Sequence, residues 1–303
     1  MSRHGMPAGR SLPYLLLVPA LVAEVLVHLL PVLGGLWMSL HELNQFFLRD
    51  WSSAPFAGLD NYRFAVDFDG AAGAELLRSF GVTVAFSVTV VALSSGLGLL
   101  GAALLQRPFR GRFLVRGLFL VPYALPAYAA VLLWKFMLDR GNGAVNAALG
   151  GLGWGGEQFW LLGDNAFPSL VVTAVWRLWP FAFLALLAGM QAIPAELHDA
   201  AEVDGAGPAQ RFRLITLPLL RPIALVLVLV LFLWTFNDFT TPYVLFDQSV
   251  PAAANVVSVH VYQSSFLTWN FGLGAAMSVL VVLFLLAVVA LFLALTRRGG
   301  RAT

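Results

Sequence analysis

The chain has 303 residues, of which 59% are hydrophobic and 11% charged, with a formal net charge of +2. That is too little polar surface for a soluble globule of this length, so the composition requires an integral membrane protein, best built as a single bundle of helices. The absence of cysteine excludes disulfides, zinc fingers, thiolate chemistry and iron–sulfur clusters on this chain.

Arg3 and Arg10 mark a short basic start, and residues 13–40 are then apolar apart from Glu24 and His28. The run is too long for a signal peptide and reads as span one. Glu24 and His28 are four apart and share a helix face; an internal structural pair is favoured over a proton relay. A polar loop, 41–79, follows with Glu42, Asp50, Asp60, Asp67, Asp69 and Glu75, and contains Phe56-Ala57-Gly58-Leu59-Asp60-Asn61-Tyr62. Span two is 80–105, where Ser94, Gly98 and Ala102 make a small-residue face suited to close helix packing.

The linker 106–116 carries Arg107, Arg110, Arg112 and Arg116, and span three runs from Gly117 to about Leu138. Pro122 and Pro126 should kink it, and Lys135 can snorkel from its far end. Residues 139–167 are Gly-rich, with Asn142, Asn146 and Trp154. In span four, 168–191, Arg177 lies between Trp176 and Trp179 with Pro180 after them. Pairing inside the bundle, stacking on tryptophan and lining a polar pathway are all open to that arginine.

Residues 192–221 are the only long charged stretch between two strongly apolar runs. Pro194 suits a helix start, and Glu196, Asp199 and Glu202 repeat at three-residue steps along one side. Gly205 and Gly207 allow a turn through positive φ, and a short basic helix through Arg211 and Arg213 is expected before Pro218 stops it. Span five covers 222–246 but is cleanly apolar only to Phe236. Asn237, Asp238, Thr240, Thr241, Pro242 and Tyr243 then come at a depth where polar groups must face protein or a water-filled cavity. The loop 247–270 holds Asn255, His260, Tyr262, Gln263, Trp269 and Asn270, span six is 273–295, and Arg297, Arg298 and Arg301 close the chain.

Of the 18 lysines and arginines, twelve fall on the termini and the linkers after spans two and four: Arg3, Arg10, Arg107, Arg110, Arg112, Arg116, Arg211, Arg213, Arg221, Arg297, Arg298 and Arg301. The opposite loops hold Arg49, Arg63, Arg78 and Arg140. By the positive-inside rule both termini and the loop at 192–221 are cytoplasmic.

Asp199-Ala200-Ala201, then Gly205, then Ile215, Leu217 and Pro218 form a spacing that resembles the cytoplasmic loop of the membrane subunits of binding-protein-dependent ABC importers. Asp199 stands where that family usually has Glu, one methylene longer. The stretch Phe56 to Tyr62 resembles a short signature after the first span of sugar-importer permeases, and the polar segment after Phe236 resembles one they carry in the same place. Ser249-Val250-Pro251 departs from their Gly-Gly-Pro and Thr pattern.

The resemblance implies an all-α membrane protein of six transmembrane helices, with a coupling-helix loop between spans four and five. It implies an N-terminal segment 1–12, a permease domain 13–296 with coupling loop 192–221, and a tail 297–303. The loop residues Glu196, Asp199, Ala200, Ala201, Asp204, Gly205 and Arg211 would dock on an ATPase subunit. Candidate substrate-pathway residues are Trp176, Arg177, Asn237, Asp238, Tyr243 and Gln263. The implied partners are a second permease, a pair of ATPase subunits that carry the ATP and magnesium, an extracytoplasmic solute-binding protein and a sugar of the maltose, trehalose or glycerol-phosphate type. The implied location is a bacterial-type inner membrane. Lys135 is the only lysine and has no phosphate-loop context, and neither His-Glu-x-x-His nor Gly-x-Ser-x-Gly occurs, so this chain is not itself the ATPase or a hydrolase. The alternative is an ion-coupled secondary transporter using Glu24 and Asp238, although spans one to three and four to six show no convincing internal repeat.

Overall fold

The computed structural model describes residues 12–106, 108–153 and 158–299, and its regular elements are all helical. Arg3, Arg10, Arg107, Trp154 and Arg301 lie outside the described residues. Five helical stretches among those described are long and apolar enough to cross a membrane, six if one sharply bent pair counts as a span. The chain divides into two compact units, residues up to Ala74 with Val261–Phe284, and Glu75–His260 with Leu285 onward.

In the first unit, span one consists of α1 (Leu12–Glu24), a π turn (Val25–Leu29) and α2 (Leu30–Ser39). The sequence motif 56–62 explains how this span ends. Gly58 adopts φ +56, turning the chain into α3 (Asp60–Ala65), from which Asn61 Nδ2 donates to the carbonyls of Ser39 at 3.0 Å and His41 at 2.9 Å. The Tyr62 hydroxyl lies 2.6 Å from Ser39 Oγ. Asn61, some twenty residues further along the chain, thereby satisfies carbonyls at the end of the span that the helix leaves without partners. Glu24 and His28 do meet, Nδ1 to Oε2 at 3.3 Å, but outward: their side chains are 66% and 69% exposed, which corrects the expectation of an internal pair.

The second unit holds the main apolar core, formed by residues from Phe86 to Val259. Span two is α4 (Ala71–Leu105), nine residues longer at its start than the apolar run. Its small-residue face does what the spacing requires. Ser94 and Ala102 are fully buried, and a Cβ on Gly98 would come within 2.7 Å of the Ala182 backbone, so glycine permits the crossing with the helix of span four. Helix α5 (Arg112–Ala124) begins inside the presumed linker. Arg116 Nη2 donates to the Leu105 carbonyl at 2.7 Å and Arg112 Nη1 to that of Gln106 at 3.4 Å, two cations at the C-terminus of α4.

Span three is broken rather than kinked. Leu125 and Pro126 are both extended (ψ 141° and 135°), because a residue before proline is driven from the helical region, and α6 (Ala127–Met137) leaves α5 at 92°. Helix α7 (Ala144–Gly151) occupies part of the Gly-rich segment, and α8 (Ala166–Gln191) is span four, buried along most of its length. The expected stop at Pro218 does not occur. After α9 (Ala195–Val203), helix α10 (Pro208–Arg211) continues through a π turn (Phe212–Thr216) into α11 (Leu217–Phe236). Leu217 N–H reaches five residues back to the Phe212 carbonyl, and this shift of register accommodates the N–H that Pro218 lacks. Span five therefore starts earlier than Pro222 and ends at Phe236. Helix α12 (Thr240–Phe246), α13 (Val257–Tyr262), a π turn (Gln263–Leu267) and α14 (Phe271–Gly299), the sixth span, complete the described chain.

Candidate functional site

The break between α11 and α12 gathers the polar residues of span five. Asn237 leaves helical geometry and folds its Nδ2 back on the Leu233 carbonyl at 3.0 Å. Asp238 then caps the next helix: its Oδ1 accepts from the Thr241 N–H at 3.0 Å and its Oδ2 from the Thr241 hydroxyl at 2.5 Å. Arg177 Nη2, reaching across from α8, donates to Asp238 Oδ2 at 2.9 Å and to Thr241 Oγ1 at 3.2 Å. Ser258 Oγ donates to the Asp238 carbonyl at 3.0 Å. The Asp238 side chain is 6% exposed and that of Arg177 19%, so each charge is kept at this depth by the other and by the hydroxyls.

Arg177, Trp234, Asn237, Asp238, Phe239 and Thr240 line a groove of about 440 Å³ at this break. Three of the six pathway candidates, Arg177, Asn237 and Asp238, thus come together. Trp176 instead packs edge-on against Trp134 at 5.9 Å, and Tyr243 of α12 stacks at 4.7 Å on Phe239, the residue before that helix. Gln263 lies in the other unit, on the π turn that follows α13. Thr241 and Ser258 were not singled out as site residues. The Asp-x-x-Thr spacing carries a helix-capping signal for the first, whereas nothing local points to Ser258, twenty residues away.

Lys135, expected to snorkel, forms an ion pair at 2.6 Å with Asp247, which ends α12 at the unusual φ of 56°. Helix α12 is therefore tied by charge at both ends, to α8 and to α6. His260, on α13, is 5% exposed with an unbonded Nε2; burial pushes its pKa below the ordinary 6.5, and Glu75 acts in the opposite sense.

The loop after span four is a helix, a turn and a second helix start. Pro194, extended at ψ 132°, precedes α9, and Glu196 lies in its first turn. Gly205 adopts φ +82, its N–H donates to the Glu202 carbonyl at 3.0 Å, and Ala206 N–H reaches the Ala201 carbonyl at 2.8 Å. These two bonds are a Schellman closure, which requires a left-handed residue where Gly205 stands. Gly207 N–H is bonded by Gln210 Oε1 at 2.9 Å as the next helix opens. Arg211 turns back to pair with Glu202, closing the loop on itself. Glu196, Asp199, Ala200 and Asp204 face solvent, Ala201 is half-buried, and the apolar Leu197, Val203 and Leu214 are exposed, Val203 to 89%.

Residues 94–299 match the family model described as binding-protein-dependent transport system inner membrane component. The trehalose/maltose transport system permease protein MalF of Thermococcus litoralis is 33% identical over 287 residues, covering 95% of this chain and 94% of its own. The sn-glycerol-3-phosphate transport system permease protein UgpA of Yersinia pseudotuberculosis is 33% identical over 278 residues, covering 90% of each. Among solved structures, a bacterial ABC transporter involved in importing the acidic polysaccharide alginate aligns with a TM-score of 0.80 at 20% identity, over 95% of both chains. That last likeness is one of fold.

Proposed function

The chain belongs to the family of binding-protein-dependent transport system inner membrane components, and from this premise we propose that it forms half of the translocation pathway of an ABC importer for a carbohydrate or related polar solute. Its relatives of 33% identity are named for trehalose and maltose and for glycerol 3-phosphate, and the full-length correspondence supports the same kind of cargo here. A second permease, two ATPase subunits with their ATP and magnesium, and an extracytoplasmic solute-binding protein would complete the complex in a bacterial-type inner membrane. The permease domain would span 13–296, between short cytoplasmic segments 1–12 and 297–303, with the loop 192–221 also on the cytoplasmic side.

The observation that carries the mechanism is the loop at Ala195–Arg211, where a Schellman turn and the Arg211–Glu202 pair hold a short helix rigid while Leu197 and Val203 stay exposed. An exposed apolar edge on a rigid polar helix suits seating in a groove of another protein. Glu196, Asp199, Ala200, Ala201, Asp204 and Gly205 belong to this docking element, and Arg211 stabilises it from within. ATP binding would favour one access state through contacts made there in only one of the two states. Trp176, Arg177, Asn237, Asp238, Tyr243 and Gln263 remain the pathway candidates, with the groove beside Arg177, Asn237 and Asp238 the best supported.

The ion-coupled alternative draws no support from Asp238, whose carboxylate is bonded to Arg177 and Thr241. Proteoliposomes containing the assembled complex, offered labelled mono- and disaccharides with the solute-binding protein, test both readings. Uptake should require ATP; uptake of the same sugar driven by a proton or sodium gradient without ATP would overturn the importer.

A further inference from the structure

The apolar run of α4 ends at Leu105 and α5 opens at Arg112, so Arg110, Arg112 and Arg116 fall where a membrane helix meets the surface. Between Glu75 and Asp139 the sequence has no aspartate or glutamate, and none of the ion pairs among the described residues includes these three arginines. Arg112 and Arg116 are four apart on one face of α5, a spacing at which like charges repel, and a guanidinium does not shed its proton. Both reach back to carbonyls at the end of α4. A helix C-terminus carries only about half a negative charge, so capping it leaves most of the positive charge uncompensated.

Two further features point to a ligand rather than to capping alone. Arg116 Nε is shielded from solvent without a hydrogen-bond partner in the chain, and Gly111 opens α5 with no side-chain cap, so that helix end adds partial positive charge of its own. On α4, exposed Leu97, Leu100 and Leu104, spaced by three and four residues, make an apolar track that runs to the helix end the arginines hold.

We propose that this end of α4 binds a phospholipid of net negative charge, its phosphate on Arg110, Arg112 and Arg116 and an acyl chain along Leu97, Leu100 and Leu104. Both halves of the site select this occupant. A guanidinium fork matches phosphate oxygens, and basic pockets beside membrane helices hold anionic headgroups. A soluble phosphate would leave the leucine track bare, and a lipid of zero net charge would leave the cations uncompensated. An anionic phospholipid covers both.

The absence of native cysteine makes the test direct. Leu104→Cys places a thiol on the track, and Val88→Cys places one about 24 Å away along the same helix; both positions are exposed. Each carries a bimane fluorophore in the purified full chain, reconstituted in phosphatidylcholine vesicles that hold a minor fraction of nitroxide-labelled phosphatidylglycerol or nitroxide-labelled phosphatidylcholine. At Leu104→Cys, half-maximal quenching should need severalfold less of the phosphatidylglycerol than of the phosphatidylcholine, and at Val88→Cys the two should be equal. High salt should erase the preference. Arg110 is exposed and can be changed without uncapping α4. Arg110→Gln should weaken the preference about fivefold, the scale of one cation beside an anionic surface, and Arg110→Lys should restore it. Equal quenching by the two lipids at Leu104→Cys, or the same preference at Val88→Cys, would overturn the proposal. So would a preference that survives Arg110→Gln/Arg112→Gln. Its loss on adding inorganic phosphate at constant ionic strength would assign the arginines to a soluble anion and overturn the lipid site.

Discussion

Removing one member of the Arg177–Asp238 pair leaves the other charge buried with only Thr241 to bond it. Breaking such a pair costs about 3–5 kcal/mol, whereas replacing both members by apolar groups is often neutral. Asp238→Leu and Arg177→Met should each lower the thermal unfolding midpoint of the purified subunit, and the double variant should recover most of the loss. Additive losses would show that the two side chains do not depend on each other. All three should still insert and should transport less than wild type, since the groove loses its polar wall. His260 gives a residue-scale effect of pH. Its pKa is depressed in the folded chain, so below about 6.5 the unfolded chain binds the proton more readily, and stability falls as pH drops from that value toward the folded pKa. His260→Gln should flatten the dependence of the unfolding midpoint on pH below 6.5, measured against wild type. An unchanged slope would place the acid sensitivity elsewhere.

At the scale of elements, Gly205 separates backbone strain from steric clash. A Cβ there would meet nothing within 4 Å, yet φ is +82, so the cost of any side chain is conformational, about 1–2 kcal/mol for a residue that avoids the left-handed region. Gly205→Val should open the turn and lower recovery of the ATPase with the complex, whereas Gly205→Asn, which tolerates that conformation, should retain most of it. Equal recovery with both variants would mean that the turn does not set the docking surface. This turn was legible in the sequence because a glycine just past a helix end has a local cause. The stop assigned to Pro218 failed because a π turn one step earlier moved the hydrogen-bond register, and no residue type announces that shift. The right angle at Pro126 was half legible: proline marked the place, but the angle came from two consecutive extended residues.

For the whole molecule, the six apolar runs were readable because a bilayer fixes the length of a span, and the polar break after Phe236 because such residues have few tolerable surroundings at that depth. The partners of that break were not readable, since Arg177 and Ser258 come from 61 and 20 residues away. Sidedness is a property of the whole chain too, because it sums charges that no single element holds. With twelve of 18 lysines and arginines on the termini and the linkers after spans two and four, both ends and the turn at Gly205 should be cytoplasmic. Single cysteines at Ser2, Ala206 and Ala302 should therefore resist an impermeant thiol reagent in intact cells and react once the membrane is opened. One at Ser52, exposed in the loop after span one, should react from outside at once. Labelling of Ala206→Cys in intact cells would put the helix-turn-helix on the side without ATP, and the docking role of Ala195–Arg211 would fall with it.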